Sequence, residues 1–106
     1  MPGRIRRVGE ALIADNAVVV GDVTLGKDAN VWFGVTIRGD DAPITIGAWT
    51  NIQDISVVHI DVDAPLHIGP GVTIGHGALV HGVEIGEHCL IFGVPVHPAC
   101  LAGNKT

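Results

Sequence analysis

Aromatic and charged residues are scarce in this 106-residue chain: two Trp, two Phe and no Tyr, with 16% of positions charged. Low charge beside 47% apolar residues excludes the composition of a disordered segment. Cys89 and Cys100 are too few, and too close to the end, to staple a small fold, and Cys89 falls where a small apolar residue is wanted. The only basic cluster is Arg4, Arg6 and Arg7, and the net charge is −5, which argues against nucleic acid as the main partner. No window reaches transmembrane length, and no apolar stretch of a signal peptide follows Met1-Pro2-Gly3-Arg4. No membrane partner is therefore expected, and the cytoplasm is the expected location.

What is abundant is glycine, with 15 residues, and a regular aliphatic beat. Aliphatic residues recur every six positions at Ile13, Val19, Leu25, Val31 and Ile37, then at Ile46, Ile52 and Val58, at Ile68, Ile74 and Val80, and at Ile85 and Ile91. A helix of 3.6 residues per turn does not return to one face every six residues, and Gly26, Gly47, Gly69, Gly75 and Gly86 directly follow repeat positions. Short strands fit, and fixed internal repetition of this kind predicts an all-β parallel β-helix whose stacked repeats bury a shared core. One domain is expected over 1–106, with the repeat core at about 10–91 and an irregular tail at 92–106. The repeat is expected to stop at Ile91, without further coils or an amphipathic helix. A chain this short buries a modest fraction of its surface, so lateral association would help it.

The beat slips where residues are added. Nine residues separate Ile37 from Ile46 and ten separate Val58 from Ile68, which predicts small outward loops at Gly39–Pro43 and Asp61–Pro65. With three hexads per coil, positions 37, 58 and 80 stack on one face and 31, 52, 74 and 91 on the next. Strand alternation then turns Arg38, His59 and His81 outward in one column. Adjacent coils lie about 4.8 Å apart, so His59 and His81 can reach one ion. His76, two residues past Ile74 and one coil from Asp54, cannot easily join them within the chain. A threefold assembly would complete a three-His site between subunits and bring Arg38 opposite Asp54.

The strings Ile37-Arg38-Gly39-Asp40, Thr50-Asn51-Ile52-Gln53-Asp54, Ser56-Val57-Val58-His59 and Ile74-Gly75-His76-Gly77 through His81-Gly82 resemble the γ-class carbonic anhydrase family of hexapeptide-repeat proteins. The resemblance covers roughly residues 10 to 91 and keeps the strings in the family's order. It implies a left-handed β-helix, a homotrimer, and a metal held at each interface by two histidines of one chain and one of the next. The implied ligands are His59, His76 and His81. Gln53 would lie near the metal's solvent, and Arg38, Asp40 and Asp54 would hold site and interface together.

Three neutral imidazoles with an open fourth position are a catalytic metal pattern, and zinc lowers the pKa of bound water to about 7. The implied reaction is reversible hydration of carbon dioxide to bicarbonate, with zinc as the default metal and iron or cobalt also compatible with imidazole. His67, His88 and His97 are read as ordinary surface or core residues, Asp61 and Asp63 as solvated loop-tip groups, and Trp32, Phe33 and Trp49 as packing or interface aromatics. Two other functions suit such a prism: a hexapeptide-repeat acyltransferase, which needs one histidine base and a coenzyme A groove, and a noncatalytic metal-binding assembly module.

Overall fold

The computed structural model describes residues 3–81 and 84–91. Among them the chain is all β, a parallel-strand solenoid of about four turns without helices. The expected irregular tail, with Cys100 and His97, lies outside the described residues.

One face of the solenoid stacks β2 (Ala11–Ala14), β4 (Asn30–Val31), β6 (Asn51–Ile52), β9 (Thr73–Ile74) and β12 (Leu90–Ile91) in parallel, aligning Ile13, Val31, Ile52, Ile74 and Ile91. A second face stacks the first halves of β3 (Val18–Leu25) and β5 (Thr36–Ile46) with β7 (Val57–His59) and β10 (Leu79–His81), aligning Val19, Ile37, Val58 and Val80. The third uses the second halves of β3 and β5 with β8 (Leu66–Ile68) and β11 (Glu84–Ile85), aligning Leu25, Ile46, Ile68 and Ile85. The six-residue beat thus becomes three aliphatic columns meeting in one core, which Ala17, Val23 and the partly buried Cys89 also pad. A fully buried aliphatic side chain is worth about 1.5–3 kcal/mol. Because each layer touches only its neighbours, the stack is stabilised layer by layer.

The strands join through tight corners. Ala29, Val35, Thr50 and Ser56 each donate an amide hydrogen to the carbonyl three residues back, on Gly26, Trp32, Gly47 and Gln53 respectively, at 3.1–3.4 Å. Each such corner passes through the left-handed region, where Gly34, Ile55 and Gly77 mark one edge of the prism. Ile55 is an unusual occupant, since its branched β-carbon opposes a φ of 66°.

Two expectations are corrected. Gly39–Pro43 is not a loop: β5 runs unbroken from Thr36 to Ile46, and the extra residues form an irregularity opposite Gly21–Val23, where the pairing shifts from Gly21↔Gly39 to Val23↔Ile44. The strand can continue because two glycines face each other there, letting backbones approach closely. The sequence around Met1-Pro2-Gly3-Arg4 suggests a direct entry into the repeat, and here too the structure differs. β1 (Ile5–Val8) folds back antiparallel on β2, and Arg6 and Arg7 of this strand pair with Asp15 (3.1 Å) and Asp28 (3.2 Å). The second excursion, Asp61–Pro65, is a loop between β7 and β8 as expected. No helix among the described residues is long and apolar enough to cross a membrane.

Candidate metal centre

The outward column on the second face is the one read from the sequence. Val20, Arg38, His59 and His81 are register partners across β3, β5, β7 and β10. Their side chains share a face because each directly follows an inward aliphatic residue. The rings of His59 and His81 lie 6.0 Å apart, centroid to centroid, and are tilted by 35°. His76 is separate from them. It sits exposed on the corner after β9, beside the glycine that stacks on Ile55, and its turn is anchored by the Gly77 amide donating to Asp54 O at 2.8 Å. One chain therefore offers a pair of histidines on a face and a third on the adjoining corner.

Carboxylates surround the pair. Asp61 Oδ1 lies 3.0 Å from His81 Nε2, and Asp40 Oδ1 lies 3.5 Å from His59 Nε2. The first is a good contact; the second is too long for a hydrogen bond of ordinary strength. His59 Nε2 is accordingly a buried nitrogen with no hydrogen-bond partner. Leaving such a group unsatisfied costs roughly 1–3 kcal/mol. An imidazole nitrogen held this way, with a second imidazole one coil on, is what a borderline cation accepts. Ligand atoms of Asp40, Asp41 and His59 also fall within 4.8 Å of one another. The residues present thus fit a divalent metal on this column.

Arg38 is expected opposite Asp54 of a neighbouring chain. Within the chain its guanidinium turns instead to Asp40, Nη2 to Oδ2 at 2.8 Å and Nε to Oδ2 at 3.3 Å. That hydrogen bond holds the Asp40 carboxyl below the usual carboxylate range against the opposing effect of desolvation, and it raises Arg38 above its ordinary value. The practical result is an ionised Asp40 beside His59 throughout the neutral range. Gln53 and Asp54 are half-buried on the first face and its corner, away from the histidine column of the same chain.

Asp61 is the residue that sequence reasoning undervalued. It was expected to solvate a loop tip, and it contacts a candidate ligand instead. The signal was present in its spacing: it lies two residues after His59, and β7 places His59 directly beside His81. Asp41 was likewise treated as loop, and the straightening of β5 brings it within reach of His59. His67 projects from the third face between Thr45 and Glu84, and Trp32 donates its indole hydrogen to Asn30 Oδ1 at 2.8 Å while packing edge-on to Phe33.

No family model matches the chain. It is 53% identical over 70 residues, 66% of this chain and 44% of the relative, to a probable carbonic anhydrase of Methanocaldococcus jannaschii. It is 43% identical over 79 residues, 69% of this chain and 29% of the relative, to the mitochondrial gamma carbonic anhydrase 1 of Arabidopsis thaliana. Among solved structures, a hexapeptide transferase family protein from Anaplasma phagocytophilum superposes with a TM-score of 0.68 at 44% identity, over 73% of this chain and 45% of that one. That likeness gives the solenoid its hand, the left-handed β-helix of hexapeptide repeats. The chain spans less than half the length of the relatives it matches.

Proposed function

From the premise that the chain belongs to the hexapeptide-repeat family of the γ-class carbonic anhydrases, we propose that it binds a divalent metal between subunits and hydrates carbon dioxide reversibly to bicarbonate. The ligands are His59 and His81 of one chain with His76 of its neighbour, in a homotrimer. The observation that carries this reading is the orphaned, buried His59 Nε2 one coil from His81, with His76 displayed on a different edge of the prism. Zinc is the default occupant, and iron and cobalt suit the same nitrogens. When bound, the metal supplies a Lewis acid that makes water a nucleophile near neutral pH.

The chain's own groups have distinct tasks. Asp40, kept ionised by Arg38, adds negative charge beside His59 and favours a cation there. Gln53 and Asp54 of the neighbouring chain orient solvent or substrate and line the interface, and Arg38 faces that Asp54 across it. Each hydration releases one proton per bicarbonate. Asp61 Oδ1, 3.0 Å from His81 Nε2 on a largely exposed side chain, is the carboxylate best situated to pass that proton to buffer.

Metal content and solution mass of the purified chain test the site, with one ion per chain in a trimer as the expected result. A metal-loaded monomer, or a trimer that takes up no metal, overturns it. Stopped-flow hydration of carbon dioxide tests the activity. A second reading is favoured by the transferase family to which the Anaplasma protein is assigned: acetyl-coenzyme A binding without carbon dioxide hydration would move the chain to the acyltransferases.

A further inference from the structure

Corners of this prism normally close on themselves, as Ala29, Val35, Thr50 and Ser56 do by bonding the carbonyl three residues back. The corners Gly69–Val72 and Gly75–Ala78 do not make that bond. A buried hydroxyl from the preceding coil stands in its place. Thr50 Oγ1 donates to Gly69 O at 2.8 Å and accepts from the Val72 amide at 3.2 Å. Ser56 Oγ donates to Gly75 O at 2.9 Å and accepts from the Ala78 amide at 3.2 Å.

These are the fully buried polar side chains of the described residues, both at 0% exposure. The same inward slot holds Ala29 and Val35 one coil earlier and Val72 and Ala78 one coil later, so packing does not require a hydroxyl. Burying one is unfavourable unless donor and acceptor are both used, and here both are. The effect is mechanical: a bridging oxygen spaces the two ends of the turn, where a direct amide-to-carbonyl bond would draw them together. The turn that Ser56 spaces is Gly75-His76-Gly77-Ala78.

We propose that Ser56 is a positioning residue for His76. By holding Gly75 and Ala78 apart, its hydroxyl fixes the direction in which the His76 imidazole leaves the corner toward the neighbouring subunit. The inference rests on the metal reading above. Thr50 supplies a matched control within the same coil, because it makes the same bridge in a corner, Gly69-Pro70-Gly71-Val72, that carries no proposed ligand.

The test is zinc affinity of the trimer, read by competition with a chromophoric chelator, for wild type, Ser56→Ala, Ser56→Thr and Thr50→Ala. Groups that orient a metal ligand typically alter affinity 10–100-fold, so Ser56→Ala is expected to weaken zinc by about that factor, with Thr50→Ala within about twofold of wild type and Ser56→Thr restored. Equal affinity for Ser56→Ala and wild type overturns the inference. So does equal weakening by Thr50→Ala, which would mean general loosening. Wild type that takes up no zinc overturns the metal reading along with it. Should Ser56→Ala not fold, hydrogen exchange on wild type decides: zinc should slow exchange at the Ala78 amide and leave Val72 unchanged, and identical slowing or no change at Ala78 overturns the positioning role.

Discussion

Adding a single methyl group at Gly39 should disturb the fold and the candidate site together. Gly39 sits between Arg38 and Asp40 and faces Gly21 across β3 and β5. A Cβ built there meets Asp22 O at 2.6 Å, Asp22 C at 3.0 Å and Val23 Cγ2 at 3.1 Å. Going from 2.6 Å to an ordinary contact of 3.4 Å requires the two backbones to part by about 0.8 Å, and neither neighbour is the free end of a flexible side chain. Overpacking of this kind costs about 1–3 kcal/mol. For a domain of about 100 residues each kcal/mol shifts the midpoint by about 4–8 °C, so Gly39→Ala should melt roughly 5–20 °C below wild type by circular dichroism. Because Asp40 and Arg38 flank the displaced Cα, zinc affinity should fall as well. Gly9→Ala is the control: its Cβ meets nothing within 4 Å, but its φ of 60° strains any side chain. It should lower stability and leave zinc affinity alone. A Gly39→Ala melt within about 2 °C of wild type would refute the close approach. A lower melt with unchanged zinc affinity would refute the link from that approach to the site.

His59→Ala, His76→Ala and His81→Ala should each lose most bound metal, by mass spectrometry of the purified protein, whereas His67→Ala should not; equal retention in all four rejects the ligand set. Arg38→Gln removes the hydrogen bond that lowers Asp40, so the Asp40 carboxyl should titrate at higher pH by NMR of the metal-free chain. A carboxyl with a folded pKa below its unfolded one stabilises above the unfolded value and loses that contribution as pH falls through the folded one, so acid unfolding of Arg38→Gln should begin at higher pH. Coincident acid transitions would argue against the pair. Carbon dioxide hydration should be weak, rise with pH through neutrality and increase with added buffer; a fully loaded trimer with no activity at any pH or buffer strength makes the noncatalytic module the better account.

The three columns of the prism were readable because a period of six with strand alternation returns an inward aliphatic residue to each face in every coil. His59 and His81 followed from that phase, and so did the isolation of His76. The bulge in β5 was not readable in the same way: spacing counts three extra residues between Ile37 and Ile46, but a loop and a bulge satisfy the count equally. What decides between them is the contact of Gly21 with Gly39, which lies in three dimensions and not in the period. β1 escaped notice because Ile5-Arg6-Arg7-Val8 has too few apolar positions to carry a repeat, and its place depends on a turn at Gly9 and on pairs with Asp15 and Asp28. The direction of Asp61 was hidden for a related reason, since loop residues have no alternation to fix where a side chain points.

A stack of parallel coils ends in bare strand edges, and each edge is a template on which another chain can extend the stack. Here β1 lies antiparallel across one of them, with Arg6 and Arg7 tied to Asp15 and Asp28. On the adjoining edge β3 breaks its own register at Gly21–Val23 and exposes Asp22. Charge, irregular pairing and reversed direction all discourage a second solenoid from docking there end to end. Growth into a fibre is thereby resisted at that end, and the flanks of the prism are left as the surfaces on which the proposed trimer would close a ring around a common axis instead of adding without limit.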